Sequence, residues 1–521
     1  MALKLSMLIV FSLAMVAIGI WCRRSATDVS GFVLGGRAVG PWMTAFAYGT
    51  SYFSAVIFVG YAGQFGWKFG IASTWIGLAN CFLGSLLAWI VLGRRTRLMT
   101  QKMKCATMPQ FFGERFGSPA LKIAAAAIVF VFLIPYTASL YNGLSRLFEM
   151  AFSVDYTICI LIMSVLTCAY VVLGGYMATA INDFVQGIIM LIGIVAVIAA
   201  VLNGQGGFTA ALNKLAEVTD ETVTVPGAFN SFFGPDPFSL FAVIILTSLG
   251  TWGLPQMVGK FYAIRDSRSI RTGTVVSTVF ALIVAGGCYF LGGFGRLFNV
   301  ENAAKNYDAV IPAMISTLSP FLVGVVVILV FSASMSTLSS LVLTSSSTLT
   351  LDLIKGCIVK KMHEKKQLLV MRILVAVFVA ISAAIAIFQY KSNGQVKFIA
   401  QMMGLSWGAL AGSFLAPFLY GLWWKRTSKL SVWVSFAFGC VNMCLNMFVP
   451  AIYPDLLKSP INCGAFTMLA GLIIVPIVSL LSKAPDKAKV DEIFDSLNRD
   501  ETFAIPAAEE TAAEEATAVT E

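Results

Sequence analysis

Long apolar runs that carry almost no charge recur along almost the whole chain, and they limit the possible folds more than any other feature. The first of them reads ALKLSMLIVFSLAMVAIGIW, at residues 2–21. A helix needs about 20 apolar residues to cross the hydrocarbon core of a bilayer. Only 12% of the 521 residues are charged, which is about half the share found in soluble domains. The pattern predicts an all-α integral membrane protein, because a membrane β-barrel would show short alternating strands instead.

The spacing of the apolar runs predicts thirteen transmembrane helices. The first run lacks an Ala-x-Ala cleavage pattern and is followed by Arg23 and Arg24, so we predict a retained helix and not a signal peptide. The ninth run is longer than a bilayer crossing and is expected to extend into the cytoplasm. The thirteen spans are predicted near residues 2–22, 42–62, 70–93, 121–148, 155–173, 182–203, 237–259, 273–295, 312–350, 367–389, 398–423, 430–450 and 461–482.

Lysine and arginine are distributed unevenly between the two sets of loops that these spans define. One set holds 21 basic residues, Lys260 among them, and the other holds seven. Basic residues accumulate in cytoplasmic loops, so we predict a multi-pass protein of the cell membrane with its N-terminus outside and its C-terminus in the cytoplasm. The net charge of +10 lies largely in these short loops, which argues against a nucleic-acid partner.

Ionisable side chains are scarce within the predicted spans. Asp183 lies near the start of the sixth span, Asp352 lies at the end of the ninth, and the only histidine, His363, falls in a loop. Acid–base catalysis and proton relays need titratable groups in the membrane, and neither an HExxH motif nor a phosphate-binding glycine loop is present. The sequence therefore predicts that the chain is not an enzyme. The same scarcity of titratable groups argues against transport that is coupled to protons. Uphill transport would draw on an ion gradient.

Hydroxyl side chains, by contrast, are concentrated in the ninth span. Residues 332–350 contain eight serines and four threonines. Hard cations prefer oxygen ligands, and the carbonyl of a helical residue points toward positions i+3 and i+4. Ala333, Ser336 and Thr337 have that spacing, so a carbonyl and two hydroxyls can converge on one ion. The alternative is that these hydroxyls bond to their own helix or permit close packing.

Two other spans contain residues that interrupt a helix. The second reads AFAYGTSYFSAVIFVGYAGQFG, with small and polar residues in mid-membrane, and the seventh reads LTSLGTWGLPQMVGKF, with Gly250, Gly253 and Pro255 together. Proline removes a backbone donor, and glycine permits unwinding. Two such breaks five spans apart predict two inverted five-helix repeats with a binding site at the midplane. A simple kink in each helix is the alternative.

These features divide the chain into five predicted regions. The C-terminal region ends in PAAEETAAEEATAVTE, an acidic, low-complexity sequence without aromatic residues, which is typical of disorder. The regions are an extra transmembrane helix with a cytoplasmic loop at 1–40, a first inverted repeat with an extracellular loop at 41–235, a second inverted repeat at 236–425, two further transmembrane helices at 426–482 and a disordered acidic cytoplasmic tail at 483–521.

Five stretches of the sequence are distinctive when they are taken together. They are FVLGGRAVGPWMTAFAYGTSYFS, TMPQFFGERF, GGYMATAINDFVQG, GLPQMVGKFYAIRD and SASMSTLSSLVLTSSSTLTLDL. They resemble the sodium:solute symporter family, nearest its sodium/proline symporter branch. The resemblance implies a LeuT-type core, Na⁺ as the coupling ion, and import of a small organic solute by alternating access.

The resemblance also implies roles for individual residues. Arg37 and Asp183 match charged positions near the cytoplasmic side and are expected to act in gating, although Arg37 is equally suited to be a plain basic anchor. The sodium ligands would be backbone oxygens of Thr50 and Phe53, the carbonyl of Ala333, and the hydroxyls of Ser336 and Thr337. The substrate pocket would be formed by Tyr52, Ser54, Tyr136, Thr251, Trp252 and Pro255.

The chain departs from proline symporters at positions near both breaks. Tyr52 replaces an aspartate, and Thr247 and Thr251 replace aromatic residues. The substrate therefore stays open between an amino acid, a monocarboxylate and a pantothenate-like acid. A proton-coupled transporter, and a channel or sensor on the same scaffold, are the alternative functions. The expected partners are the solute, the sodium ion and the lipid bilayer, with the protein a monomer or weak oligomer.

Overall fold

The computed structural model is helical throughout the part of the chain that it describes. The described residues are 2–495, apart from 221–222, 299, 301–302, 304–305, 360–361 and 392–398, together with Leu497. The helices in chain order are α1 (Ala2–Trp21), α2 (Val29–Leu34), α3 (Pro41–Tyr52), α4 (Ala62–Phe69), α5 (Thr74–Ala79), α6 (Arg94–Lys102), α7 (Met108–Arg115), α8 (Pro119–Phe152), α9 (Tyr156–Gly204), α10 (Phe208–Glu217), α11 (Pro237–Leu249), α12 (Pro255–Tyr262), α13 (Ser267–Gly292), α14 (Val310–Ser316), α15 (Pro320–Thr348), α16 (Glu364–Lys391), α17 (Ile399–Trp423), α18 (Lys429–Phe448), α19 (Pro460–Leu481) and α20 (Lys487–Asp495).

Ten helices in the described residues are long and apolar enough to cross a membrane, or eleven when the bent pair α11–α12 is taken as one span. The count differs from the predicted thirteen because helical structure continues through turns that were predicted to separate spans. The helical stretch Val56–Lys102 has 47 residues, and α9 has 49. Within α9, Gly175 has φ 53° and ψ −145°, so the chain changes direction there although helix lies on both sides.

The predicted break in the second span is confirmed. Pro41 begins α3 at the position where a proline fits best, and the helix ends at Tyr52. Phe53 is extended, with φ −101° and ψ 130°. Helical structure resumes as a wide π-type turn at Val56–Tyr61 and continues into α4. The polar segment around Ser54 therefore lies between two half-helices.

The predicted break in the seventh span is confirmed as well. After α11, residues Gly250–Gly253 form a tight 3₁₀ turn and Leu254 is extended, with φ −87° and ψ 121°. Pro255 then begins α12, and the axes of the two half-helices differ by 45°. Proline cannot donate to the preceding turn, and the glycines before it permit unwinding, so the helix starts again at this residue.

Helix α15, which carries the hydroxyl cluster, lies at the centre of the bundle. It packs against α9, α8, α1, α16 and α3, and nearly every side chain from Val323 to Thr348 is buried. A helix that is apolar or hydroxyl-bearing all round and buried on every side is a core helix. Its serines and threonines therefore face protein and not lipid.

Helices α4 and α13 approach so closely that only glycine fits at their crossing. A Cβ on Gly66 would overlap the carbonyl of Gly292, and a Cβ on Gly292 would overlap the carbonyl of Ala62. Backbone on both sides leaves no flexible side chain to move aside, and overpacking of this kind typically costs about 1–3 kcal/mol or more.

Replacing Gly66 with alanine should therefore lower the melting temperature of the detergent-purified protein by several degrees and reduce its yield. The matched control is Gly204→Ala, at the end of α9, where a Cβ would meet nothing within 4 Å. Equal melting temperatures for the two variants would contradict the close approach.

The region 483–521 was predicted to be disordered, and this prediction is wrong for its first part. Residues Lys487–Asp495 form α20, which packs against α6. Val490, Ile493 and Phe494 are buried and share one face at spacings of three and four residues. This short amphipathic pattern precedes the acidic repeat. The prediction rested on the acidic composition of the whole region and did not take the pattern into account. Residues 498–521 lie outside the described residues.

Candidate functional site

The five residues that the resemblance assigned to sodium meet at the break between α3 and the following half-helix. The hydroxyl of Ser336 lies 3.2 Å from the carbonyl oxygen of Thr50 and 3.0 Å from that of Ala333. The hydroxyl of Thr337 lies 3.2 Å from the carbonyl oxygen of Phe53, 3.1 Å from that of Ala333 and 3.5 Å from that of Thr50. The structure thus brings three carbonyls and two hydroxyls within reach of one small ion.

The local sequence explains why these oxygens are available. The last carbonyls of a helix have no intrahelical donors, and the extended backbone at Phe53 ends α3 there. On α15, the i, i+3, i+4 spacing of Ala333, Ser336 and Thr337 places their oxygens on one face. All five residues are fully buried, at 0% relative exposure. The site is buried and its oxygens carry no charge, which suits a monovalent cation that has shed its water.

A site for a carboxylate-bound metal is not found elsewhere in the described residues. No group of three histidine, cysteine, aspartate or glutamate side chains there could hold a metal ion. Divalent cations such as Ca²⁺ and Mg²⁺ are usually held with at least one carboxylate. The oxygen cluster at the break of α3 is therefore better matched to an alkali ion.

A second group of polar atoms gathers next to the break. Tyr136 on α8 lies beside Ser54, at the break, and beside Trp407 on α17, and the rings of Tyr136 and Trp407 are 5.9 Å apart, edge to face. The Ser54 hydroxyl, the Tyr136 hydroxyl and the Trp407 indole nitrogen are buried without a hydrogen-bond partner in the part of the chain that the structure describes. Because buried polar groups are usually hydrogen-bonded, three such groups gathered beside the break are available to a ligand.

The remaining predicted pocket residues use their polar groups within the protein. The Tyr52 hydroxyl donates to the carbonyl of Thr247 at 2.7 Å. Thr251 donates to the carbonyl of Ser248 at 2.8 Å, and the indole of Trp252 donates to that of Leu83 at 3.0 Å. The Tyr52 bond connects the two broken spans, and the Trp252 bond connects the seventh span to the segment that contains Leu83. The polar atoms beside the break that stay without a partner in the described residues include those of Ser54, Tyr136 and Trp407.

Pro255 lies apart from that group. It lines a narrow cavity of about 40 Å³ together with Gln256, Lys260, Ser340 and Ser347. The cavity lies on the side of the breaks where α12 continues, near the end of α2.

Arg37 lies just before α3 and ties three segments together. Its guanidinium donates to the carbonyl of Tyr262, at the end of α12, at 2.8 Å and to the carbonyl of Cys105 at 2.6 Å. Val39 forms a short parallel backbone bridge with Ile264 beside it. Burial lowers the pKa of Arg37. A basic anchor would extend toward lipid headgroups, whereas the Arg37 side chain points into the protein and joins the segments that contain Cys105 and Tyr262.

Asp183 is fully buried on α9 and forms an ion pair with Lys260, which the sequence analysis had placed in a loop. Lys260 was counted among the loop cations, and this is wrong, because its ammonium lies 3.5 Å from the Asp183 carboxylate and only 3% of the side chain is exposed. The restart of the helix at Pro255 turns Lys260 inward. Lys260 also lies 3.0 Å from the hydroxyl of Ser340, which lies 3.0 Å from that of Ser51 on α3.

Two functional candidates, Lys260 and Trp407, were therefore not predicted from the sequence. Gln256 and Lys260 lie four residues apart directly after Pro255, which indicates a common helix face and was a usable signal for Lys260. Trp407 lies in the small-residue stretch GLSWGALAG, where one large ring among glycines and alanines is a weaker signal.

A model of the sodium:solute symporter family matches residues 32–439, which is more than half of the chain. The chain belongs to the sodium:solute symporter family. Membership makes it a multi-pass membrane protein and a sodium-coupled symporter of a small solute, and not an enzyme. The predicted family, coupling ion and class of function are confirmed.

Two relatives of this symporter match it over nearly its whole length. The osmoregulated proline transporter OpuE of Bacillus subtilis is 26% identical over 492 residues, which cover 92% of this chain and 95% of that protein. The sodium/proline symporter of Staphylococcus aureus is 29% identical over 498 residues, which cover 92% of this chain and 93% of that protein.

The fold of the symporter is also found among solved structures. A Na⁺-coupled sialic acid symporter in a substrate-bound outward-open state matches with a TM-score of 0.71 at 16% identity, over 93% of this chain and 99% of that chain. The inward-facing structure of Mhp1 matches with a TM-score of 0.50 at 14% identity, over 89% of this chain and 96% of that chain. Identities this low show a shared fold only.

Proposed function

We propose that this symporter imports an amino acid or another small carboxylate by alternating access, and that its sodium ion is held by Thr50, Phe53, Ala333, Ser336 and Thr337. One observation carries the proposal: five uncharged oxygens from two helices converge where α3 is broken. Sodium in this position would fasten the end of α3 to α15. The free energy of ion binding would then favour the arrangement that binds substrate, which is the basis of coupling.

The polar atoms beside the break support a carboxylate as the group recognised. The unpartnered hydroxyls of Ser54 and Tyr136 and the indole N–H of Trp407 can all donate hydrogen bonds. The half-helices that start at Val56 and Pro255 also present helix N-termini near the breaks, and these ends attract negative charge. Because two relatives are named as proline transporters, an amino acid is the first candidate to test, followed by a monocarboxylate and a pantothenate-like acid.

The topology we propose has thirteen spans, with the N-terminus outside and the C-terminus in the cytoplasm. Gly175 divides α9 into two of the spans, and Gly70, with φ 61° and ψ −141°, separates the second span from the third. The helices from α3 to α9 and from α11 to α17 would form the two inverted five-helix repeats. Each repeat would begin with one of the two broken spans.

We further propose that Arg37 and Asp183 act in gating on the cytoplasmic side. Arg37 joins the segment before α3 to the end of α12, so opening that side would require its hydrogen bonds to break. Asp183 and Lys260 lie on the same side, and Ser340 connects Lys260 to α15. Movement of α12 would therefore be transmitted both to α9 and to the helix that carries the sodium ligands.

Uptake by proteoliposomes that contain the purified protein tests the function. A true substrate should raise the melting temperature of the protein more in sodium than in choline, because binding stabilises the folded state. Labelled substrate should then accumulate above equilibrium only with an inward sodium gradient, and unlabelled substrate inside should accelerate its entry. Uptake that persists in choline at fixed pH and responds to a proton gradient would replace sodium with proton coupling. Current without counterflow would show a channel.

A further inference from the structure

A basic cavity of about 690 Å³ lies at the membrane edge where α18 begins and α19 ends. Lys429 opens α18, Lys483 follows the end of α19, and Lys489 lies on α20. All three lysines are exposed, and none of them forms an ion pair within the described residues. The cavity is separate from the sodium and substrate sites.

A buried arginine completes this cluster. Arg115 is 1% exposed, and its guanidinium donates to the carbonyls of Gly421, Trp424 and Lys425 at the end of α17. Its Nη1 is nonetheless buried without a hydrogen-bond partner in the described part of the chain. Burial lowers the pKa of Arg115 to about 10, so the group stays charged at neutral pH. The guanidinium also packs against the rings of Phe116 and Phe494, and its one unused donor is available to an anion beside it.

The only carboxylate that lines the cavity, among the described residues, is that of Asp486. It already accepts a hydrogen bond from the backbone N–H of Ala488 at the start of α20. Four basic side chains therefore face a cavity with one carboxylate, and that carboxylate serves as a helix cap. Such an excess of positive charge attracts an anionic group with several acceptor oxygens, as a phosphate has.

The surroundings of the cavity indicate that the phosphate belongs to a lipid. Trp433 lines it one turn into α18, and tryptophan is enriched at membrane–water interfaces. Leu430 is 54% exposed, and Leu480 and Leu481, at the end of α19, are exposed as well. An acyl chain can lie along these leucines while its headgroup enters the cavity.

We propose that this cavity binds the headgroup of an anionic phospholipid, held by Arg115, Lys429, Lys483 and Lys489, and that the lipid fastens α20 to the transmembrane helices. Basic pockets between transmembrane helices on the cytoplasmic side are suited to anionic headgroups. Lys429 and Lys489 come from α18 and α20, so a bound headgroup bridges the two elements.

The test is the melting temperature of the full chain in detergent, titrated with phosphatidylglycerol, phosphatidylcholine or inorganic phosphate. Phosphatidylglycerol should raise it by several degrees and the other two by little. The variant Lys429→Gln with Lys489→Gln should lose at least half of that rise. The matched control is Arg268→Gln with Arg271→Gln, two exposed cations at the start of α13, which should keep it. Lys429→Arg with Lys489→Arg should keep it too.

Two results would overturn the proposal. If the two glutamine variants lost the same part of the rise, the lipid would be acting through general surface charge and not through this cavity. If inorganic phosphate stabilised the protein as much as phosphatidylglycerol, the cavity would bind a free anion and not a lipid. Native mass spectrometry of the same samples should show fewer retained phosphatidylglycerol molecules only for Lys429→Gln with Lys489→Gln.

Discussion

Replacing Thr337 with alanine should raise the sodium concentration for half-maximal uptake about tenfold or more. The Thr337 hydroxyl faces the carbonyls of Thr50, Phe53 and Ala333, so its loss removes one ligand and leaves three carbonyls less well satisfied. A tenfold change corresponds to about 1.4 kcal/mol of binding free energy, which is within the range expected for one hydrogen-bonding group next to a charge. Ser336→Ala should act in the same direction, and the measurement is initial uptake as a function of sodium.

Ser334→Ala is the matched control for Thr337→Ala. Ser334 lies on the same helix and is equally buried, but its hydroxyl donates to the carbonyl of Val330 within that helix at 2.8 Å. Its removal should leave the sodium dependence unchanged. The proposed site is wrong if Thr337→Ala behaves like Ser334→Ala, or if all three alanine variants shift the sodium dependence equally.

Replacing Lys260 with methionine should destabilise the protein strongly and abolish most transport. The substitution keeps the length of the side chain and leaves the Asp183 carboxylate buried without its counter-ion. Removing one partner of a buried ion pair typically costs about 3–5 kcal/mol. The expected result is a melting temperature lower by many degrees in detergent, together with little sodium-dependent uptake.

The double variant Lys260→Met with Asp183→Asn separates the charge from the side chain itself. It removes both charges, so it should recover a large part of the lost melting temperature. Transport should recover less if the pair also acts in gating. Lys458→Met is the control, because Lys458 forms an exposed ion pair with Asp455. Water screens this pair, so its loss should change the stability of the protein very little. A Lys260→Met protein as stable as the wild type, or a double variant no better than the single one, would contradict this account.

Some of the architecture could be predicted because it depends on local chemistry. The breaks at Phe53 and Pro255 follow from small residues, glycine and proline, and the hydroxyl spacing on α15 follows from helical geometry. Pairing the two into one site required the family resemblance, because residues 50–53 and 333–337 are distant in sequence and only the packing of α3 against α15 brings them together.

Other features depend on tertiary packing and were not predicted from the sequence. Lys260 was taken for a loop cation, since hydropathy does not show which face of α12 is turned inward. Trp407 lies on α17, a helix buried almost throughout, so its sequence gave no sign of which side faces the break. The described residues form ten or eleven long apolar helices where thirteen spans were predicted, because helical structure continues across Gly70 and Gly175.

Binding of radioactive sodium to the purified protein without substrate tests the central claim most directly. The wild-type protein should bind sodium saturably, and so should Ser334→Ala. The double variant Ser336→Ala with Thr337→Ala, folded as judged by its melting temperature, should show no saturable binding over the same range of concentration. A double variant with an unchanged sodium isotherm would place the coupling ion somewhere other than the junction of α3 and α15.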